Sequence, residues 1–196
     1  LDWSKPWASG AQFANICATI PNSKETKNLI NILKEFSNSL VNPEVGGYFK
    51  NQTPSDKELV NGSMKIISGL DWIDHEIHYP HKLIDTCLTI SPYSEGCDLV
   101  DTVYVLSKCY ETTDYKRNEI EDYFRVLIEI IQQHFHEKTG GFSYYINKSQ
   151  THYYGVEISK GKNVADIHGT LLLTWAISLI IQHIQPESNP FKIIKP

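Results

Sequence analysis

Two short segments place acids and an imidazole at the start of apolar runs: Cys97-Asp98-Leu99-Val100-Asp101 and Asp166-Ile167-His168-Gly169-Thr170. Asp98 and Asp101 are three residues apart, so a helix would carry both on one face, with Tyr104 a turn further on. Carboxylates and an imidazole brought together can shift one another's proton affinity and serve as an acid/base pair. The plainer role for Asp98 and Asp166 is to cap a helix and hold its first backbone N–H groups. Asp101 and His168 lie deeper in their segments, where capping does not explain them. Asp98, Asp101, Asp166 and His168 are therefore the candidate catalytic residues, expected at one rim of the fold. Asn61, Tyr104, Tyr144 and Tyr154 are candidates for binding a ligand there.

Other reactive side chains are more ambiguous. His75, His78 and His81 bracket Pro80, with Asp85 and Cys87 behind them. This spacing is not by itself a metal signature, and a surface loop is its simplest reading. His134 and His136 are expected to meet the C-terminal end of their own helix. The four cysteines, Cys17, Cys87, Cys97 and Cys109, form no Cys-x-x-Cys pair. Three of them lie in apolar helical patterns, which reads as reduced structural thiols in a cytoplasmic setting. The chain has no Gly-x-Ser-x-Gly, phosphate-binding P-loop, dinucleotide-binding glycine fingerprint or His-Glu-x-x-His.

The elements that must hold these residues are helical. Apolar spacing and turn signals predict helices over about 6–20, 25–40, 55–73, 81–90, 97–110, 115–137 and 165–184. Ser4 is a candidate cap for the first. Ser55 with Glu58 forms a capping box for the third. Residues 142–146 and 153–158 could form short strands. Helices two and six are amphipathic with a charged face. Segments 8–20, 59–70, 97–109 and 166–184 are instead apolar nearly all round, with small residues at close spacing. The two kinds alternate, as in stacked helical hairpins with an outer and an inner helix. A Gly-Gly-aromatic turn follows both amphipathic helices, at Gly46-Gly47-Tyr48 and Gly140-Gly141-Phe142, 94 residues apart (140 − 46).

The 196 residues carry 18 Lys+Arg against 23 Asp+Glu, a net charge of −5, with 41% hydrophobic residues. Such a chain can bury a core, and its charge gives no case for nucleic acid. The longest apolar stretch, 171–181, is about half of a membrane span, so no membrane is expected. One domain over 1–196 is expected, and the opening Leu1 suggests part of a longer product.

Outer helix, Gly-Gly-aromatic loop, then buried inner helix resembles the α/α-toroids, most closely their terpenoid-cyclase and protein-prenyltransferase-like branch. Bacterial proteins with similar Asp-Leu-Val-Asp and Asp-Ile-His-Gly-Thr segments are expected. The resemblance implies an all-α, toroid-like array of hairpins. A closed ring needs about twelve helices, so about seven form an incomplete ring completed by a second copy or a missing N-terminal segment. The prenyltransferases hold zinc with an Asp, a Cys two residues on and a distant His. The resemblance implies Asp85, Cys87 and His168 for those ligands, with a fourth position left for a substrate thiol. Thr86 stands where that family has Gly. The acidic motifs of terpene cyclisation, Asp-x-Asp-Asp and Asp-Asp-x-x-Asp, do not occur.

Three functions follow as expectations. The first is a toroid domain acting on or binding a carbohydrate, with Asp98, Asp101 and Asp166 as acids, His168 as proton carrier, and Tyr144, Tyr145, Tyr153, Tyr154, Trp72 and Trp175 for stacking. It needs no cofactor. The second is a non-catalytic scaffold that binds another domain. The third is the zinc-dependent, prenyltransferase-like enzyme.

Overall fold

A computed structural model describes residues 1–21 and 23–192. Its helices are α1 (Pro6–Thr19), α2 (Lys27–Leu40), α3 (Asp56–Trp72), α4 (Pro80–Thr89), α5 (Gly96–Thr112), α6 (Arg117–Gln132) and α7 (Ile167–Ile184). The strands are two-residue pieces: β1 (Phe135–His136) pairs with β2 (Gly141–Phe142), and β3 (His152–Tyr153) with β4 (Val156–Glu157). The chain is all-α, with 57% of the described residues helical. The described residues divide into two compact units, those within 1–90 with 108–116, and 91–107 with 117–192, so the boundary runs through α5.

In the first unit α1 and α3 run parallel and close. A Cβ on Gly62 would stand 2.6–2.9 Å from Pro6, and one on Gly69 2.8 Å from the Phe13 ring. Pairs early in one helix thus match pairs early in the other. Small residues permit this approach, as the close spacing of Gly and Ser in these segments predicts. Trp3 and Phe13 both meet Phe36, which places α2 against α1. Ser55 caps α3 by accepting from the Glu58 N–H, but the Glu58 carboxylate accepts instead from the Trp7 N–H at 2.9 Å. The expected capping box is therefore half-formed. Its second half serves α1, whose N-cap is Lys5 rather than Ser4 and makes no side-chain cap.

In the second unit α5 and α7 also run parallel. Tyr104 meets Trp175, and Ser107 Oγ lies 2.6 Å from His183 Nε2. The amphipathic α6 packs on α7. Helix α6 ends at Gln132, five residues before the boundary read from sequence, because Phe135 and His136 turn away to pair with the Gly-Gly-Phe segment.

The two Gly-Gly-aromatic turns share one geometry. Val41 bridges Tyr48, and Phe135 pairs with Phe142, both 94 residues on (135 − 41, 142 − 48). Phe49 N–H donates to the Leu40 carbonyl, as Ser143 N–H does to His134. Gly46 and Gly140 take φ of 74° and 69°, the left-handed conformation that favours glycine. Each unit therefore contains an apolar helix, an amphipathic helix, this turn and a second apolar helix parallel to the first.

Candidate functional site at the start of α7

Asp166 begins α7 and holds three backbone donors. Its Oδ1 accepts from Gly169 N–H at 2.7 Å, and its Oδ2 from Tyr144 N–H at 2.8 Å and Gln150 N–H at 3.0 Å. It is a cap that also fastens the loop between β2 and β3 to the helix. With its lone pairs committed to amides, Asp166 has the structural role open to it from the sequence.

His168 sits two residues further on and is half-buried. Its Nδ1 donates to Gln150 Oε1 at 2.8 Å, which makes Nε2 the acceptor nitrogen of the neutral ring. Tyr144 stacks on the imidazole at 5.3 Å between ring centroids, and Tyr153 meets it edge-on at 5.4 Å. Gly169 makes the approach of Tyr144 possible, since a Cβ there would stand 2.4 Å from the Tyr144 nitrogen. Gln150 and Tyr144 are buried, whereas Tyr153 is half-exposed and Tyr154 is 90% exposed.

Across this ring lies the start of α5. Tyr144 shares a hydrogen bond with the Cys97 thiol and feels the Asp98 charge. Burial first, and this bond second, push its phenol far above the ordinary tyrosine range. Tyr153 also lies within the field of Cys97. The parallel pairing agrees, because Cys97 and His168 are each seven residues before the touching Tyr104 and Trp175. Cys97 is half-buried, and Asp98 and Asp101 are buried. The rim thus gathers Cys97, Asp98, Tyr144, Gln150, Tyr153, Asp166 and His168, with Asp101 one turn beyond Asp98 on α5. Tyr104 is buried against Trp175, which makes it part of the packing beneath the rim. Asn61 is a buried residue of α3, in the first unit.

Sequence reasoning missed Cys97 and Gln150. Cys97 read as a small apolar residue, and Gln150 as part of a polar loop. The signal available for Cys97 was its place beside Asp98 at a helix start.

The remaining histidines have local duties. His134 is buried, with Nδ1 2.7 Å from the Ser143 carbonyl. It pins the Gly-Gly-Phe turn rather than closing the C-terminal end of α6. His136 Nε2 meets Ser143 Oγ at 2.9 Å. His78 bonds Tyr48 and Asn38, His75 rests against His78, and His81 stacks on Tyr115.

The residues proposed for zinc have these surroundings. Asp85 accepts from Lys116 at 2.6 Å and Tyr115 at 3.0 Å, which lowers its proton affinity. Cys87 is fully buried, and burial raises its thiol well above the ordinary value. Among the described residues no three His, Cys, Asp or Glu side chains gather as a metal site would require.

Among the described residues α7 alone is long and apolar enough to cross a membrane, a property it shares with core helices of globular proteins. No family model, curated protein or solved structure matches the chain.

Proposed function

We propose that the rim at the starts of α5 and α7 binds a carbohydrate-like, hydroxyl-rich ligand, with His168 as the group that carries a proton. The observation behind this reading is the setting of His168: Nδ1 fixed by buried Gln150, one face on Tyr144, and an edge of Tyr153 beside it. An imidazole held in one orientation at a rim suits a general base or acid. Asp98 and Asp101 supply carboxylates along the next helix, and the exposed rings of Tyr153 and Tyr154 suit stacking on sugar faces. The reading includes an α/α-toroid-like architecture, supported by the parallel α1/α3 and α5/α7 pairs. Four unbridged cysteines fit a reducing, cytoplasmic compartment. The test is a panel of mono- and oligosaccharides followed by ligand-detected NMR. Binding that disappears in His168→Ala and weakens in Tyr153→Ala supports the reading. No binding across the panel, or binding that ignores both changes, overturns it.

A second reading, a scaffold that docks another protein or a second copy, is favoured by a different observation. Ile167 and Leu171, four residues apart on α7, are 91% and 68% exposed. Val156 and Ile158 of the same unit are also exposed. Apolar surface of this kind marks interaction sites. Light scattering of the Ile167→Lys, Leu171→Lys variant against the parent chain tests it: an unchanged mass in a self-associating parent removes this surface from the assembly.

A further inference from the structure

A groove of about 540 Å³ in the first unit is lined by Ser23, Lys24, Lys27, Asn31, Lys34 and Asp74, over a floor of Ile30 and Ile73. None of its lining residues was invoked for the sugar site. Lys27, Asn31 and Lys34 follow a four-three spacing on α2, so they form a single stripe along the helix, and Lys24 lies in the turn just before it.

The charges on this stripe are not neutralised locally in the usual way. Lys34 donates its ammonium to the Asp74 main-chain carbonyl, at 3.1 Å, not to a carboxylate. Lys24 and Lys27 take part in no ion pair among the described residues. The neighbouring Glu25 carboxylate is engaged by the Ser23 hydroxyl at 2.6 Å. The first turn of α2 holds no acid, although the N-terminal end of a helix favours one. The positive field of Lys34 also reaches His75, where it disfavours the protonated ring. A chain of net charge −5 therefore keeps three lysines around one concavity, with Asp74 as the single acid in the lining.

We propose that this groove is a binding site for a phosphorylated small molecule that carries several phosphoryl groups. Lys27 and Lys34 are seven residues apart on a helix, a rise of about 10 Å. A chain of phosphoryl groups spans that distance with both side chains extended, whereas a single orthophosphate meets both ammonium groups only if the two side chains fold toward each other. Asn31 supplies a hydrogen-bond donor between Lys27 and Lys34, and Ile30 and Ile73 give an apolar floor for the carbon part of the ligand. Each ammonium acts as a point charge on phosphate oxygens, a common use of lysine.

The test is calorimetric titration of the whole chain with tripolyphosphate and, separately, with orthophosphate, at fixed ionic strength. The expected result is one tripolyphosphate per chain, bound at least tenfold more tightly than orthophosphate. Lys27→Glu and Lys34→Glu should each weaken it tenfold or more, while Lys138→Glu, an equal change of charge on the exposed β1–β2 turn, should leave it unchanged. Circular dichroism melting of the three variants separates a lost site from a lost fold, and Lys27→Gln gives a milder second variant. Equal weakening by all three charge reversals would mean diffuse attraction to the surface and would overturn the proposal. So would absence of binding, or equal affinity for both anions. Adding phosphatidic acid vesicles as a third arm distinguishes a free ligand from a lipid headgroup: pelleting with vesicles without tripolyphosphate binding also overturns it.

Discussion

Gln150 Oε1 accepts the Nδ1 proton of His168 at 2.8 Å, and the Gln150 N–H is in turn held by Asp166, two residues before that histidine. The loop and the helix start thus fix each other, and the imidazole tautomer is set by a side chain 18 residues away. Replacing Gln150 by Ala removes the acceptor while leaving the main-chain bond to Asp166. Nitrogen-15 NMR of the His168 ring should then change from one tautomer, protonated at Nδ1, to a mixture. The stability cost should be about 1 kcal/mol, typical of one lost hydrogen bond. An unchanged tautomer in Gln150→Ala would mean that the rest of the site, not Gln150, sets it.

Asp166 bears a larger structural duty. Asp166→Ala leaves the Gly169, Tyr144 and Gln150 amides without their acceptor. Loss of a cap costs about 0.5–2 kcal/mol, and bonds to a charged acceptor about 1.5–3 kcal/mol each, with partial recovery through water. The expected loss is about 2–4 kcal/mol by urea denaturation, with Asp166→Asn in between because it keeps one acceptor oxygen. A loss below about 0.5 kcal/mol in Asp166→Ala, smaller than an ordinary cap contributes, would contradict the clasp.

Two glycines test the close helix packing. At Gly62 a Cβ would meet Pro6, including its backbone carbonyl carbon at 2.9 Å, and at Gly169 it would meet the Tyr144 nitrogen and the Ser143 backbone. Backbone cannot swing aside as a flexible side chain can. Gly62→Ala and Gly169→Ala should each cost about 1–3 kcal/mol, the range for overpacking, despite the better helix propensity of alanine. Gly140→Ala is a contrasting case, because nothing lies within 4 Å and only its φ of +69° opposes the change. If Gly62→Ala or Gly169→Ala raises the melting temperature, the helices are not in this contact.

How far the sequence spoke can be judged on these residues. The alternation of apolar and amphipathic helices, the cap at Asp166 and the two Gly-Gly-aromatic turns were all legible, because each is a local pattern. Glu58 was legible as a capping residue but not as the partner of Trp7, since the spacing of a capping box says nothing of a second helix. The overrun of α6 has a similar origin. Phe135 and His136 continue the helical periodicity, and no breaker precedes Gly140; only pairing with Gly141 and Phe142 ends the helix. Gln150 and Tyr153 reach His168 through a loop whose path depends on the Asp166 clasp, so no spacing rule finds them.

The cysteines give a prediction with internal controls. Burial raises the thiol of Cys17 to about 11 and that of Cys109 to about 12, and that of Cys87 well above its ordinary value. Cys97 alone is not buried, and it sits in the first turn of α5. Alkylation of the native chain with iodoacetamide at neutral pH, followed by mass spectrometry, should modify Cys97 first and the other three only on unfolding. Early modification of Cys87 would show that its surroundings open readily, contrary to the packing of α4.

Stability should fall in mildly acidic solution through three histidines. His75, His78 and His134 all bind protons less readily in the fold than in an open chain, with burial as the main cause in each. Lys34 adds to this at His75 and Glu76 opposes it; His75 adds to it at His78. At His134 the Ser143 and Ser94 carbonyls and Asp166 oppose burial, and His136 adds to it. A histidine whose folded value is depressed binds more protons when unfolded, so its contribution is complete above the unfolded value of about 6.5 and is lost as pH falls below it. The window from about pH 6.5 to 5 lies above the ordinary carboxylate range, which isolates the histidines. Urea midpoints measured across that window should drop steadily, and His78→Gln, which retains a polar group for Asn38 and Tyr48, should flatten part of the slope. A midpoint that stays level or rises between pH 6.5 and 5 would mean that these rings are open to water in solution.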